Sequence, residues 1–149
     1  IADWNRIYGP RGFQQYQCVV PPADAATAIG EILSTIARHR AGSFLAVLKR
    51  FGDVAAKGLL SFPRPGWTLA LDFPMNGRRT LALFDELDVL VLRAGGALYP
   101  AKDAHMSPET FQRAYPQWRQ LDALRDPQIM SAFWERVTTS RGDKRHTIT

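Results

Sequence analysis

The stretch Phe13-Gln14-Gln15-Tyr16-Gln17-Cys18-Val19-Val20 decides the fold. Pro21-Pro22 follows it and stops it, because proline has no backbone donor for a sheet ladder. Read as a strand, the stretch turns Phe13, Gln15, Gln17 and Val19 to one face. Gln14, Tyr16, Cys18 and Val20 turn to the other. One face is therefore rich in amides and the opposite face is fit for a core.

Downstream, the period changes. Between Ala23 and about Arg40 the residues Ala25, Ile29, Ile32, Leu33 and Ile36 fall on one helical stripe. Arg38, His39 and Arg40 suit a helix C-terminus, and Gly42 suits the exit. Ser43 to Phe51 and Trp67 to Phe73 read as two further strands, joined by a loop with Gly58, Pro63, Pro65 and Gly66. Phe44, Ala46 and Leu48 share one face of the first, and Val47, Lys49 and Phe51 the other. Trp67, Leu69, Leu71 and Phe73 oppose Thr68, Ala70 and Asp72 in the second. Arg78 to Ala94 is the clearest helix, with Leu83, Phe84, Leu87, Leu90, Val91 and Ala94 as its stripe. Asp85, Glu86 and Asp88 lie mainly off that stripe and read as solvated. Gly95-Gly96 ends the helix, and Ala97 to Tyr99 reads as a short fourth strand. Ser107-Pro108-Glu109 opens another helix, with serine as cap and proline at the first position. Pro116 and Pro127 cut the remainder into short helices, the last near Ile129 to Val137.

The order strand, helix, strand, strand, helix, strand is the split βαβ pattern of α+β, ferredoxin-like folds. It predicts a βαββαβ sheet with two long helices on one face, followed by short C-terminal helices. The chain divides into a lead-in over 1–12, the sheet domain over 13–103, helices over 104–138 and a basic tail over 139–149, expected to be disordered. Tyr16, Cys18, Phe44, Leu48, Trp67, Leu69 and Leu71 are expected beneath the helices. The other face carries Gln15, Gln17, Lys49, Thr68, Ala70 and Asp72, which is no core. It is solvated or roofed by something polar, and it is the place to look for a site. Phe13, Val47 and Phe51 alternate onto the same face, so weak self-association through it is expected.

Composition narrows the function. The chain has 149 residues, 46% hydrophobic and 22% charged, which fits one globular domain. Cys18 is the single cysteine, which excludes intramolecular disulfides and thiolate zinc sites. His39, His105 and His146 lie far apart, so no metal site is expected. No run approaches the roughly 18 apolar residues of a membrane span, and no secretory signal is seen. A cytoplasmic location is expected. The net charge is +5, partly from Arg141, Lys144 and Arg145 in the tail. The sequence opens on Ile1, which reads as part of a longer chain or a processed product.

No phosphate-binding glycine loop, nucleophile elbow or zinc-protease motif is present. Cys18 falls on the helix-covered face, where a thiol is buried and inert. Two segments stand out. Gly12 to Gln17 carries amides on one strand face, as a ligand site or a solvated edge strand would. Gly95 to Asp103 holds a strand end, Pro100 and a lysine beside an aspartate, and such strand ends collect functional residues. The residues leave Lys102 open between a cation reaching over the sheet edge and a surface lysine paired with Asp103.

A wider set of segments decides between these. Trp4 to Pro10, Gly12 to Gln17, Phe44 to Gly52, Leu60 to Trp67, Asp72-Phe73-Pro74, Gly95 to Asp103 and Ser107 to Phe111 occur in one order. Together they resemble the C-terminal, substrate-side half of FAD-linked oxidases of the vanillyl-alcohol oxidase superfamily. The likeness is greatest to the branch that acts on a lipid-linked ribose. The resemblance implies an FAD-dependent enzyme whose N-terminal FAD-binding domain, in the same parent chain, holds most of the cofactor. It implies that the open sheet face meets the flavin ring, with the substrate between. Gln15, Gln17, Lys49 and Phe51 would line the substrate cavity, Gln17 and Lys102 would also touch the cofactor, and Lys102 and Tyr99 would be catalytic. Two departures from the family stand out. Ala70 stands where one member carries a cysteine, so thiol-directed behaviour is not carried over. Asp126 to Val137 replaces a Phe-Ser-Ser-Asp-Leu-like run, which bears on the substrate. The reading is therefore kept to oxidation of an alcohol, on a sugar or polyol.

The residues alone also fit two other classes. A non-enzymatic ligand-binding or regulatory module could use the same fold. A single-strand nucleic-acid binder would want exposed aromatics on the open face for stacking. The face offers mainly amides, Thr68 and Asp72, so nucleic acid ranks last and is not expected as a partner.

Overall fold

The computed structural model describes residues 3, 6, 9–103 and 105–139. Most of the lead-in, and the basic tail beyond Thr139, lie outside the described residues. The elements run β1 (Phe13–Val20), α1 (Ala25–Arg38), β2 (Ala46–Phe51), β3 (Gly66–Pro74), α2 (Arg78–Arg93), β4 (Ala97–Leu98), α3 (Pro108–Ala114), α4 (Trp118–Leu124) and α5 (Ala132–Thr138). The sheet order is β2-β3-β1-β4, with every pair antiparallel. This is the ferredoxin-like α+β arrangement that the sequence pattern predicts.

Alternation along β1 and β3 builds the core. Tyr16 and Cys18 on β1 and Leu69, Leu71 and Phe73 on β3 are buried. They meet Ile32 and Ile36 from α1 and Leu83, Phe84, Leu87 and Val91 from α2. The α2 exit depends on glycine. Gly95 has φ +70°, the left-handed region that favours glycine, and its N–H bonds the Leu92 carbonyl. A Cβ at Gly96 would stand 2.4 Å from the Val19 carbonyl oxygen. Only a bare backbone there lets β4 pair with β1 immediately after the helix.

The C-terminal helices join the same core. Phe111, Tyr115, Trp118, Trp134 and Val137 pack into the cluster that contains the sheet residues. The Tyr115 hydroxyl donates to the Leu98 carbonyl at 2.5 Å, so α3 fastens onto β4, an edge strand. Ser107 caps α3 by accepting from the Thr110 N–H at 3.1 Å, as its sequence position predicts.

Several expectations are corrected. Phe44 and Leu48 are not beneath the helices; they are 56% and 49% exposed. Phe44 lies before β2, which starts only at Ala46. The helices lie over the inner strands, and β2 is the outer strand beyond β3. Leu33 is exposed as well, although its spacing puts it on the α1 stripe. Trp67 is half-buried and packs on a small satellite cluster of Val20, Ala25 and Ala28. Asp88 is buried rather than solvated, because Tyr16 and His105 give it polar partners inside.

Candidate functional site

The open sheet face carries a depression of about 200 Å³ lined by Gln15, Gln17, Val47, Lys49, Thr68 and Ala70. Register places these side chains together. Gln17 and Val47 both stand opposite Ala70, Lys49 stands opposite Thr68, and Gln15 stands opposite Asp72. The small side chain of Ala70, between Gln17 and Val47, leaves the space. Thr68 in its lining, and Asp72 opposite Gln15 beside it, are almost fully buried.

Each glutamine is pinned by its nitrogen. Gln15 Nε2 donates to Asp72 Oδ1 at 2.7 Å, and Gln17 Nε2 donates to Thr68 Oγ1 at 3.2 Å. A fixed amide nitrogen fixes the carbonyl oxygen too, which here keeps its acceptor capacity for a ligand. Lys49 is exposed and makes no ion pair among the described residues. The floor therefore offers oriented acceptors, and its rim offers a cation.

A row of three aromatics links β2 to the end of β4. Phe51 meets Phe62 edge-on, with ring centroids 5.9 Å apart, and Phe62 stacks on Tyr99 at 4.6 Å. The Tyr99 N–H donates to the Gln17 carbonyl at 2.9 Å, which carries the β1–β4 pairing one residue past β4. Arg64 holds the loop that supplies Phe62. Its guanidinium donates to the carbonyls of Phe62, Ser61 and Ala114 and sits 5.1 Å over the Tyr115 ring. Sequence reading gave Phe62 and Arg64 no role in the site. Their signal is that both lie in the Leu60 to Trp67 segment that carries the resemblance, but periodicity cannot place a loop residue.

Lys102 ends a 3₁₀ turn, Pro100–Lys102, directly after Tyr99. Its side chain is exposed, is not part of the depression's lining, and makes no ion pair among the described residues. Asp103 does not pair with it: its Oδ2 accepts from Arg136 at 2.5 Å. The structure thus groups Gln15, Gln17 and Lys49 in one depression. It joins Phe51 to Tyr99 through Phe62 and leaves Lys102 on the adjoining turn. A larger concavity, about 790 Å³, lies elsewhere, along Asp85, His105, Ser107, Glu109 and Arg136. It is an open groove between helix surfaces.

A second polar cluster lies on the helix side of the sheet. The Tyr16 hydroxyl donates to Asp88 Oδ1 at 3.0 Å. His105 Nε2 is 3.4 Å from Asp88 Oδ2, and its Nδ1 is 3.2 Å from Asp103 Oδ1. Burial alone would pull the His105 pKa down. The Asp88 hydrogen bond and the charges of Asp88, Asp103 and Asp85 outweigh it, so the net shift is upward from 6.5. Asp88 is raised by burial, against the opposing pull of His105 and Tyr16. Burial drives the Tyr16 hydroxyl well above its ordinary range and pushes the Cys18 thiol up to about 12, so that thiol is inert. Among the described residues no cluster suited to a metal ion is found, and no helix is long and apolar enough to cross a membrane.

The sign of the histidine shift gives a pH dependence. A histidine whose folded pKa is raised stabilises the fold fully below its unfolded value near 6.5. That stability is lost as pH rises through the folded value. The raised Asp88 carboxyl acts in the same sense. The melting temperature of the chain should therefore fall as pH rises above about 6.5, and His105→Gln should flatten the slope. An unchanged slope in the variant would assign the dependence to another group.

These side chains sit in a sequence shared with an oxidase. Over 130 residues the chain is 42% identical to decaprenylphosphoryl-beta-D-ribose oxidase of Mycolicibacterium smegmatis, a match covering 85% of this chain and 28% of that protein. The chain is a homologue of part of that oxidase. It is also 35% identical over 131 residues to an uncharacterized protein in the mprA 5' region of Streptomyces coelicolor, covering 85% of the chain and 35% of that protein. The chain thus spans about a third or less of the length of these curated relatives. No protein-family model matches it. The homology agrees with the FAD-linked oxidase resemblance carried by the sequence segments.

Proposed function

We propose that the chain is the substrate-side domain of an FAD-dependent oxidoreductase that oxidises an alcohol of a sugar or polyol. The observation that carries this is the depression in which two pinned amides and a free-ended lysine meet on one sheet face. Homology to part of an oxidase supports it. The donor set suits a flat polar ring and a hydroxyl-rich ligand together. Gln15 and Gln17 present fixed carbonyl oxygens, Lys49 presents donors, and Val47 and Ala70 present apolar area.

In this reading FAD, held mainly by an N-terminal domain of the same parent chain, supplies the hydride acceptance. This chain supplies orientation and charge. Gln15, Gln17 and Lys49 bind substrate hydroxyls, and Phe51 with Phe62 and Tyr99 excludes water from one end of the cavity. Gln17 and Lys102 also meet the cofactor, and Lys102 holds the reacting oxygen. A cytoplasmic location belongs to the same reading. So does weak self-association through this face when the partner domain is absent, since Phe13 is 38% exposed at its rim.

Absorbance tests the division of labour. The 149-residue chain should purify colourless, and the full-length parent protein should purify yellow. Anaerobic addition of an accepted sugar or polyol should bleach the full-length protein. Stoichiometric FAD on the short chain would overturn the assignment of the flavin to the other domain. A full-length protein without flavin would favour a non-enzymatic binding module.

A further inference from the structure

Asp103 is a buried carboxylate directly after Lys102, and nothing proposed above uses it. Its side chain is 2% exposed. Oδ1 accepts from the backbone N–H groups of His105 at 3.0 Å and Met106 at 2.7 Å. Oδ2 accepts from Arg136 Nη2, on α5, at 2.5 Å. His105 stands between Asp103 and Asp88, 3.2 Å from one and 3.4 Å from the other, and so links the same carboxylate to α2. One side chain thereby ties the turn after β4 to two helices that are far apart in sequence.

Stability alone is a poor reason for such a group. A buried ion pair rarely stabilises a fold more than well-packed apolar side chains of the same volume. Its better-attested use is to select one arrangement of the chain, and here the arrangement selected is that of the Lys102 turn. Pro100 restricts the backbone on the near side, and the Lys102 N–H bonds the Tyr99 carbonyl at 3.0 Å. On the far side, the Asp103 carboxylate is the anchor. The Lys102 ammonium makes no ion pair of its own among the described residues. The backbone of the turn therefore sets where its stem starts, and so which space its ammonium can search.

We propose that Asp103 is a positioning residue for Lys102, clamping its turn to α5 through Arg136 and to α2 through His105. The proposal rests on the oxidoreductase reading for its functional consequence, but its structural content stands apart from that reading. Two variants address it. Asp103→Asn keeps the shape and loses the charge, and Arg136→Gln removes the distal partner from a half-exposed position.

The first measurement uses the 149-residue chain and no flavin. Amide hydrogen exchange of His105 and Met106 should speed up about tenfold or more in Asp103→Asn, while the amides of Leu69 and Leu71 in β3 stay protected. Unchanged exchange at His105 and Met106 would overturn the clamp. Should Asp103→Asn fail to fold, Arg136→Gln is read in its place, with the same two outcomes.

The second measurement uses the full-length holoprotein under anaerobic conditions. Flavin reduction should slow about tenfold in Asp103→Asn and Arg136→Gln, with KM little changed, because a displaced cation weakens the reacting geometry more than ground-state binding. Arg136→Lys, which keeps the charge, should recover most of the rate. A lowered melting temperature with full rates would make the cluster structural only and overturn the positioning role. Lys102→Met, run alongside, separates the failures. A slow Lys102→Met beside fast clamp variants sinks only the positioning role. A fast Lys102→Met removes Lys102 from the site, and the exchange measurement still decides the clamp.

Discussion

Phe84→Ala should cost about 3 to 5 kcal/mol of stability, the usual range for deleting a fully buried phenylalanine. Phe84 is wholly buried, and its ring joins three parts of the core. It meets Tyr16 of β1 at 5.2 Å, Phe73 of β3 at 5.5 Å and His105 of the post-β4 segment at 5.0 Å. No small rearrangement of one element fills the space, because the sheet and the His105 segment would have to move in different directions. Domains of this size have net stabilities of about 5 to 15 kcal/mol, so the variant should sit near the edge of folding. Urea denaturation of the two chains measures the difference. Leu48→Ala is the comparison. At 49% exposed on the outer strand it should cost under about 1 kcal/mol, although its spacing assigns it to the core. A large loss for Leu48 and a small one for Phe84 would reverse the burial described above.

Those two residues show where sequence reading works and where it stops. Strand alternation in β1 and β3 separated the two sides of the sheet, since each inner strand is flanked by partners that leave no choice of direction, although Val19 on the amide side is wholly buried and Trp67 on the other is only half-buried. The same rule failed at Leu48. Alternation says which side of the sheet a residue takes, not whether a helix reaches far enough to cover it. Asp88 fails for the opposite reason. Its position on α2 looks solvated, and its burial depends on Tyr16, 72 residues away, and on His105, 17 residues away. Pairings of that kind carry no periodic signal. The depression was legible as a set of residues, because Gln15, Gln17 and Lys49 alternate onto one face. The aromatic row was only half legible. Phe51 and Tyr99 lie on regular or nearly regular strands, whereas Phe62 comes from a loop whose path is set by the Arg64 clamp.

Lys102→Met in the full-length protein should slow anaerobic flavin reduction by about two orders of magnitude, the scale of losing one donor aimed at developing charge. The sequence left two roles for Lys102, a site cation or a surface lysine paired with Asp103. The structure narrows that choice, because the Asp103 carboxylate is already engaged by Arg136 and by the amides of His105 and Met106. The lysine next to it is exposed and makes no ion pair among the described residues. It follows Tyr99, whose backbone is bonded to Gln17 at the floor of the depression. A four-carbon stem from that turn can carry an ammonium towards the sheet face, where it would hold a substrate oxygen and offset negative charge as the alcohol is oxidised. Methionine keeps the length and apolar stem and removes only the charge, so a loss of rate reads the charge itself. Lys57 lies exposed in the loop between β2 and β3 and tolerates the same change in this account. Stopped-flow traces for Lys57→Met should therefore overlay those of the unmodified enzyme. Traces for Lys102→Met that overlay them as well would take the lysine out of the site and leave Gln15, Gln17 and Lys49 as its polar groups.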